Sequence, residues 1–331
     1  MKGLVFYIIL IVVSISAQSQ TIIHIPMGEK LLEILPLKND IFVVTDKNMY
    51  QLKHKKLKVV YTSKTQILGA AVSDRYFYLL KKNSYEYFLT TYLGLTTIIP
   101  LDSAISKSMI GLRVDSAKQN VYLITRDEGI YKISQKEIKL ELTPNNLNDA
   151  LFINDKDYWL ATQSGLGHQI GNRYVRYVEE SITGSSIPDN MVEHLHRTPD
   201  NRLIVQMAEA LSIFELEGDK TEGRGTDLDF IGQRGNEIFD ICGLPKGFTL
   251  FATQQGLILA GKNTLNLKPN DEWREVYSQQ TKKAYRIKLS ELGLKNVRKM
   301  LISRCAWDGK KSVYLLSSNE IIIVPVKKFI N

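Results

Sequence analysis

A short pattern of apolar and polar positions recurs seven times along the chain. Three residues, mostly large and apolar, are followed by Thr or another polar residue and then by a polar turn. The copies are Phe42-Val43-Val44-Thr45, Tyr78-Leu79-Leu80-Lys81, Tyr122-Leu123-Ile124-Thr125, Trp159-Leu160-Ala161-Thr162, Leu203-Ile204-Val205-Gln206, Leu250-Phe251-Ala252-Thr253 and Tyr314-Leu315-Leu316-Ser317. Their fourth positions lie 36, 44, 37, 44, 47 and 64 residues apart, a mean of about 45. One four-stranded propeller blade takes about 40–50 residues. The marked runs are apolar almost throughout rather than alternating, which fits sheets covered on both faces by neighbours.

Each copy shares a grammar with the others. A turn signal precedes an apolar strand, as Pro188-Asp189-Asn190 precedes Met191 to Leu195. A second turn such as Pro199-Asp200-Asn201 leads into the marked strand. A Gly-type turn (Glu128-Gly129, Ser164-Gly165, Gln255-Gly256) leads into a third strand, and an outer strand such as Tyr174 to Val178 follows. Short β-branched and aromatic runs punctuated by Asn, Asp, Gly and Pro are strand and turn signals. Thr21 to Ile25 is a strand with no partner in the first unit, while the last unit stops one strand short after Ile321 to Val326. The spacing predicts an all-β, seven-bladed β-propeller with four-stranded antiparallel blades, the ring closed by the N-terminal strand in the seventh blade. The extra length from Asp271 to Leu292 reads as an insertion holding either a short helix or an extended hairpin, and Gly223-Arg224-Gly225 reads as loop.

The first residues say where such a domain works. Lys2, the apolar run Leu4 to Val13 and the small residues that follow have the layout of a secretory signal peptide. The run is shorter than the roughly 20 residues of a membrane span, and no second apolar stretch approaches that length. Residues 1–19 are therefore read as signal peptide and 20–331 as one propeller domain, exported to the periplasm, cell surface or exterior and monomeric, with no membrane span after signal removal. A hydrophobic content of 44% supports a full core. The net charge is +8, with basic residues scattered as in Lys81-Lys82 and Lys327-Lys328. That suits an anionic partner such as an acidic glycan, and equally suits solubility and lysines guarding strand edges. Nucleic acid sits badly with export and is not expected as a partner. The two cysteines, Cys242 and Cys305, fall on innermost strands of neighbouring blades. Bridging needs Cα atoms within about 7 Å, so two buried, unbridged thiols are expected.

Two units carry a family resemblance. One runs Asn145-Asn146-Leu147-Asn148-Asp149-Ala150 and then Asp157-Tyr158-Trp159-Leu160-Ala161-Thr162-Gln163-Ser164-Gly165-Leu166. The other runs Ile187-Pro188-Asp189-Asn190-Met191-Val192 and then Pro199-Asp200-Asn201-Arg202-Leu203-Ile204-Val205. Together they resemble the two-component-regulator propeller repeat of bacteria, with its Leu-Pro-Asp-Asn turn, Asp-Gly turn, Trp-Ile-Gly-Thr strand and following Gly-Leu. The Gly after Asp is missing here and the Trp survives once. The resemblance implies a periplasmic sensor propeller of the kind that responds to oligosaccharides. With no kinase or receiver segment among these residues, it carries over ligand or partner binding alone.

Because strand direction alternates, the second-to-third turn of a blade and the blade-to-blade connection emerge on one face. The candidate ligand-binding residues on it are Lys47, Asn48, Arg126, Asp127, Gln163, Gln254, Gln255 and Glu320, with Trp273 in the insertion as a stacking surface. Amides, carboxylates and cations suit a polyhydroxylated or charged ligand, although turns are polar in any case. His194-Leu195-His196 sets two imidazoles on one side of a strand, short of the three or four ligands of a zinc site. No nucleophile elbow, metalloprotease helix or phosphate loop is present. The expectation is a non-catalytic binding or interaction module for an oligosaccharide or an envelope protein, with no cofactor and no metal. The alternatives are a propeller enzyme acting on polysaccharide, which needs His, Tyr, Arg and carboxylate converging at one mouth, and a structural component of a cell-envelope assembly.

Overall fold

The marked runs each become the second strand of a four-stranded sheet. The computed structural model describes residues 21–134, 137–179, 187–208, 210–216, 237–254, 256–260 and 301–330, with the strand segments 224–226 and 285–287. Blade 1 holds β2 (Leu31–Leu37), β3 (Asp40–Thr45), β4 (Asn48–Lys53) and β5 (Lys56–Thr62). Blade 2 holds β6 (Ile67–Val72), β7 (Tyr76–Lys81), β8 (Ser84–Leu89) and β9 (Tyr92–Pro100). A short helix, α1 (Ser103–Ser108), leads into blade 3: β10 (Met109–Val114), β11 (Val121–Thr125), β12 (Ile130–Ile133) and β13 (Ile138–Leu142). Blade 4 holds β14 (Leu147–Asn154), β15 (Asp157–Thr162), β16 (Gly165–Ile170) and β17 (Arg173–Tyr177). Blade 5 holds β18 (Val192–Arg197), β19 (Arg202–Met207), β20 (Leu211–Glu215) and β21 (Arg224–Thr226). Blade 6 holds β22 (Ile238–Gly243), β23 (Thr249–Thr253), β24 (Gly256–Ala260) and β25 (Tyr285–Ile287). Blade 7 holds β26 (Arg304–Trp307), β27 (Ser312–Leu316) and β28 (Glu320–Pro325) from the end of the chain, and β1 (Thr21–His24) from its start.

All seven sheets are antiparallel and four-stranded, and β1 completes the last one by pairing Thr21 with Ile323 and His24 with Glu320. Closure by the N-terminal strand is as the sequence predicts. Two segments differ from the reading above. Arg224–Thr226 is the outer strand of blade 5 rather than loop, and Tyr285–Ile287, inside the supposed insertion, is the outer strand of blade 6. Both are three-residue edge strands, too short to show a two-residue period. The signal segment, Gln255 and Trp273 lie outside the described residues.

Among the described residues the core is seven apolar clusters, one in each interface between blades. Phe42 and Val44 of β3 enter the blade 1–2 cluster, whereas Val43 enters the blade 7–1 cluster. Tyr78 and Leu80 likewise face blade 3, and Leu79 faces blade 1. Alternate residues thus go to opposite sides of a sheet, and both sides are dry. The fifth repeat sits one residue later than its sequence alignment. Val192 pairs with Met207 where Leu31 pairs with Thr45, so the equivalent run is Ile204-Val205-Gln206-Met207. Leu203 is buried as fully as its neighbours, which hides the offset in the sequence.

The recurrent Thr has a mechanical reason. Its hydroxyl donates to the carbonyl that opens the third strand: Thr125 to Gly129 at 2.5 Å, Thr162 to Gly165 at 2.7 Å, Thr253 to Gly256 at 2.8 Å. A buried polar group must be hydrogen-bonded, and this one also fixes the turn. Lys81 breaks the rule and is instead neutralised by Glu86, which also accepts from the Tyr61 hydroxyl of blade 1. The glycine closing the turn is equally constrained. Gly165 has φ +128°, and a Cβ there would stand 2.5 Å from the Tyr177 carbonyl oxygen. Gly165→Ala should therefore lower the unfolding free energy by more than about 1 kcal/mol, read as a reduced midpoint in urea with an unchanged slope.

Candidate functional site

A β-bulge opens the inner strand of six blades. The ladder slips between Leu31 and Glu33, Ile67 and Gly69, Met109 and Gly111, Leu147 and Asp149, Val192 and His194, and Ile238 and Asp240. In blade 7 the same offset appears where Ser303 N donates to Leu316 O while Arg304 pairs with Leu316. A bulge re-aims the side chain that follows it. Those side chains are Glu33, Asp149, His194, Asp240 and Arg304 from five blades, with Gly69 and Gly111 in blades 2 and 3. A Cβ on Gly69 would meet nothing within 4 Å, and one on Gly111 would meet only the Arg113 guanidinium. Charged groups therefore line most of the axial mouth, with the Arg113 guanidinium over Gly111 and open space over Gly69.

The carboxylates clasp neighbouring blades. Asp149 accepts from Ala150 N at 2.8 Å and, across the interface, from Leu195 N at 3.1 Å. Asp240 repeats this with Ile241 N at 2.9 Å and Cys305 N at 2.9 Å. Arg113, two residues past Gly111, donates through Nε to Asp149 at 2.7 Å. His194 Nδ1 lies 3.6 Å from the other Asp149 oxygen. His196 lies deeper, its Nδ1 3.9 Å from Asp240. Arg304 spans blades 7 and 1 to reach Glu33 at 2.6 Å. The Arg304 and His194 side chains are 51% and 50% exposed, whereas Asp149 is 4% exposed. The pairs thus present guanidinium and imidazole to water and hold carboxylates behind them.

Packing at the axis displaces several titrations. Burial alone would raise the Asp149 carboxyl, but Arg113, His194 and Leu195 N hold it well below its ordinary value. Burial pushes Asp240 up to about 6, against its backbone donors and the pull of the Arg304 guanidinium. Burial likewise lowers the His196 imidazole to about 4. Glu33 is raised by burial, against the pull of Arg304. Separated carboxyl and imidazole titrations in one concave place mark candidate functional groups. Among the described residues no three His, Cys, Asp or Glu side chains could hold a metal together.

The predicted face is the one that holds this mouth. In blades 1, 3, 4 and 6 the second-to-third turn is tied to the incoming connection, through Asp46 N to Lys30 O, Arg126 N to Ser108 O, Gln163 N to Asn146 O and Gln254 N to Glu237 O. Arg126, Asp127, Gln163 and Gln254 are exposed on its rim. Lys47, Asn48 and Glu320 are engaged in closing the ring. Lys47 Nζ donates to Gly28 O at 2.6 Å and Asn48 to Glu29 at 2.8 Å, and Glu320 lies 3.0 Å from His24 of β1. The residues brought together at the axis are ones the sequence reading did not select, save for the His194 and His196 pair weighed as metal ligands. The available signal was a titratable residue at one position of five inner strands. Cys242 and Cys305 are free, buried and on neighbouring inner strands as expected. They are nonetheless in contact: a hydrogen bond from the Cys305 thiol to Cys242 and burial together push that thiol up. Cys305 lies one residue past the bulge residue Arg304 and Cys242 two past Asp240, so the pair is not at equivalent positions.

No protein-family model and no curated protein sequence matches this chain. Solved structures do. The extracellular domain of the putative hybrid two-component system BT4673 from B. thetaiotaomicron superposes with a TM-score of 0.62 at 13% identity. The match covers 92% of this chain and 40% of that one, so this chain spans about two fifths of its length. Ycf48 bound to D1 peptide gives 0.61 at 12% identity, covering 92% and 95%. The β-propeller domain of Cps50 (Swd1) from Myceliophteria thermophila gives 0.63 at 8%, covering 92% and 99%. Likeness at this identity establishes the propeller fold.

The shifted His196 gives a pH signature. As pH falls from about 6.5 the unfolded chain takes up a proton that the folded imidazole refuses until about 4, so stability is lost across that window. Asp240, raised to about 6, acts in the opposite sense between its unfolded value and 6. His196→Gln removes the first effect. Its urea midpoint should fall less than the wild type's between pH 7.5 and pH 4.5.

Proposed function

We propose that this chain is an exported, non-catalytic binding propeller that takes a polar ligand, an oligosaccharide or a protein segment, at its axial mouth. The observation that carries the reading is the convergence of Glu33, Asp149, His194, Asp240 and Arg304 on the axis beside the open space over Gly69. Exposed guanidinium and imidazole donors suit the acceptor oxygens of a sugar or a peptide chain. The rim residues Arg126, Asp127, Gln163 and Gln254 extend the polar surface outward on the same face, and Gln255 and Trp273, outside the described residues, remain candidates from the sequence. The reading draws support from the extracellular setting of the BT4673 domain and from the peptide held by Ycf48. It agrees with the leader-like first residues and with the resemblance to the two-component-regulator propeller repeat. No described helix is long and apolar enough to cross a membrane.

One observation favours catalysis on a polysaccharide as a second reading. His194 has a buried carboxylate 3.6 Å from Nδ1 and a half-exposed ring, an arrangement that orients an imidazole as a base. Product analysis by mass spectrometry separates the two readings, because cleavage of a bound oligosaccharide that is lost in His194→Ala would establish turnover.

The binding reading is tested on the chain from Gln20 with a glycan array and a tiled peptide array. A saturable hit is expected, weakened at least tenfold in Arg304→Ala and in Arg113→Ala with the fold retained by circular dichroism. A hit of unchanged affinity in both variants would place the site elsewhere.

A further inference from the structure

The end of the ring opposite the axial mouth carries a second concavity. The turns between first and second strands emerge there, and between blades 2 and 3 they enclose a cleft of about 420 Å³. Tyr76 and Tyr78 of β7 form its wall, Arg75 and Lys118 stand at its rim, and Asp74 and Gln119 complete the edge. The two turns are joined by Asp74 N donating to Lys118 O at 2.9 Å. We propose that this cleft binds a saccharide bearing a carboxylate.

The next interface shows why the cleft is open. Tyr122 of blade 3 occupies the position of Tyr78 in blade 2, as the first residue of the repeated run. Phe152 stacks flat on Tyr122, with ring centroids 3.8 Å apart at 9°. The Tyr122 hydroxyl bonds Asp155, whose other oxygen takes Lys132 at 2.9 Å. That cleft is filled, and its polar groups are consumed. The residue equivalent to Phe152 in blade 3 is Val114: Val114 pairs with Val121 as Phe152 pairs with Tyr158, one position before the run in each blade. Val114 packs in the same cluster as Tyr78, and an isopropyl group in place of a ring fills less of the space beside it.

The lining matches one ligand chemistry. Tyr76 is half-buried and meets Tyr78 and Tyr87 edge-on, with centroids 6.3 and 5.7 Å away. A ring fixed in that way offers a face to the apolar side of a sugar at little entropic cost. Burial raises the Tyr78 phenol to about 12, so it remains a neutral hydroxyl. Asp74 and Gln119 supply an acceptor and an amide for sugar hydroxyls. Among the described residues neither Arg75 nor Lys118 is paired with a carboxylate, although both are exposed at one rim. A guanidinium receives a carboxylate through two parallel hydrogen bonds, and Lys118 adds a second cation. A cavity of a few hundred Å³ is of ligand-site dimensions, and this one sets two aromatic walls against a polar rim. The cleft lies on the face away from the axial mouth, so the two sites stand or fall separately.

The probe is trigalacturonate, titrated into the chain from Gln20 by calorimetry and by tyrosine fluorescence. Saturable binding is expected, at least tenfold tighter than for the uncharged galactotriose. Val114→Phe copies the filled interface and should abolish binding without lowering the thermal midpoint. Arg75→Ala and Lys118→Ala, both at the surface, should each weaken it at least tenfold. The proposal is overturned if the wild type does not bind, if Val114→Phe binds as well as the wild type, or if galactotriose binds equally. It is also overturned if inorganic sulfate at matched concentration displaces the sugar completely, which would make the cleft a simple anion site.

Discussion

Alternate residues of each second strand enter two different blade interfaces, so almost no position along it meets water. Polar side chains are costly there unless fully paired. The repeat solves this with Thr at the fourth position, whose hydroxyl is spent on the carbonyl that opens the third strand. Where Lys81 takes that place, Glu86 and Tyr61 must accompany it. Removing one member of such a buried pair strands a charge, so the exception is fixed as firmly as the rule. Chemistry is displaced from the second strands to the two places left over, the inner strands near the axis and the turns at each end.

Ring closure draws on those same turns. The connection from β1 to β2 carries Glu29, and its carboxylate receives Thr45, Asn48 and Tyr50 of blade 1. Lys47 holds the Gly28 carbonyl and Asp46 accepts from Lys30 N. On the other side of the seam His24 meets Glu320. The polar residues of the first and last turns are therefore fasteners for the point where the chain ends meet. The turns of blades 3, 4 and 6 carry no such load, and Arg126, Asp127, Gln163 and Gln254 remain exposed.

The fold was legible because two-sided burial writes an apolar run into every blade, and Gly129, Gly165 and Gly256 mark the turns by necessity of their positive φ. The closing strand was legible as a strand lacking a partner. The register of blade 5 was not, since burial of Leu203 extends the run by one residue. Edge strands such as Arg224–Thr226 were not, because three residues show no period. The mouth was hidden by the bulges. A slip of one residue breaks the two-residue alternation where Glu33, Asp149, His194, Asp240 and Arg304 turn toward the axis, so each looked like an isolated polar residue. The cleft was hidden for a different reason: it depends on a difference between Val114 and Phe152 that has meaning only after the blades are superposed.

Both openings fall in one sector of the ring. The inner strand of blade 2 reads Gly69-Ala70-Ala71 beyond its bulge, and that of blade 3 carries Gly111 at one end and Val114 at the other. Small inner-strand residues leave volume near the axis, and blade 2 compensates farther out with Phe77, Tyr78, Tyr85 and Phe88, all buried. Aromatic contacts bind that outer layer: Phe77 to Phe42 of blade 1 at 4.7 Å, and to Phe88 at 5.5 Å. A sector with a rigid aromatic layer can keep a thin inner strand without collapsing, because close packing elsewhere fixes the walls. The sevenfold repeat therefore gives the molecule its rigidity, and the departure of blades 2 and 3 from that repeat supplies its empty space.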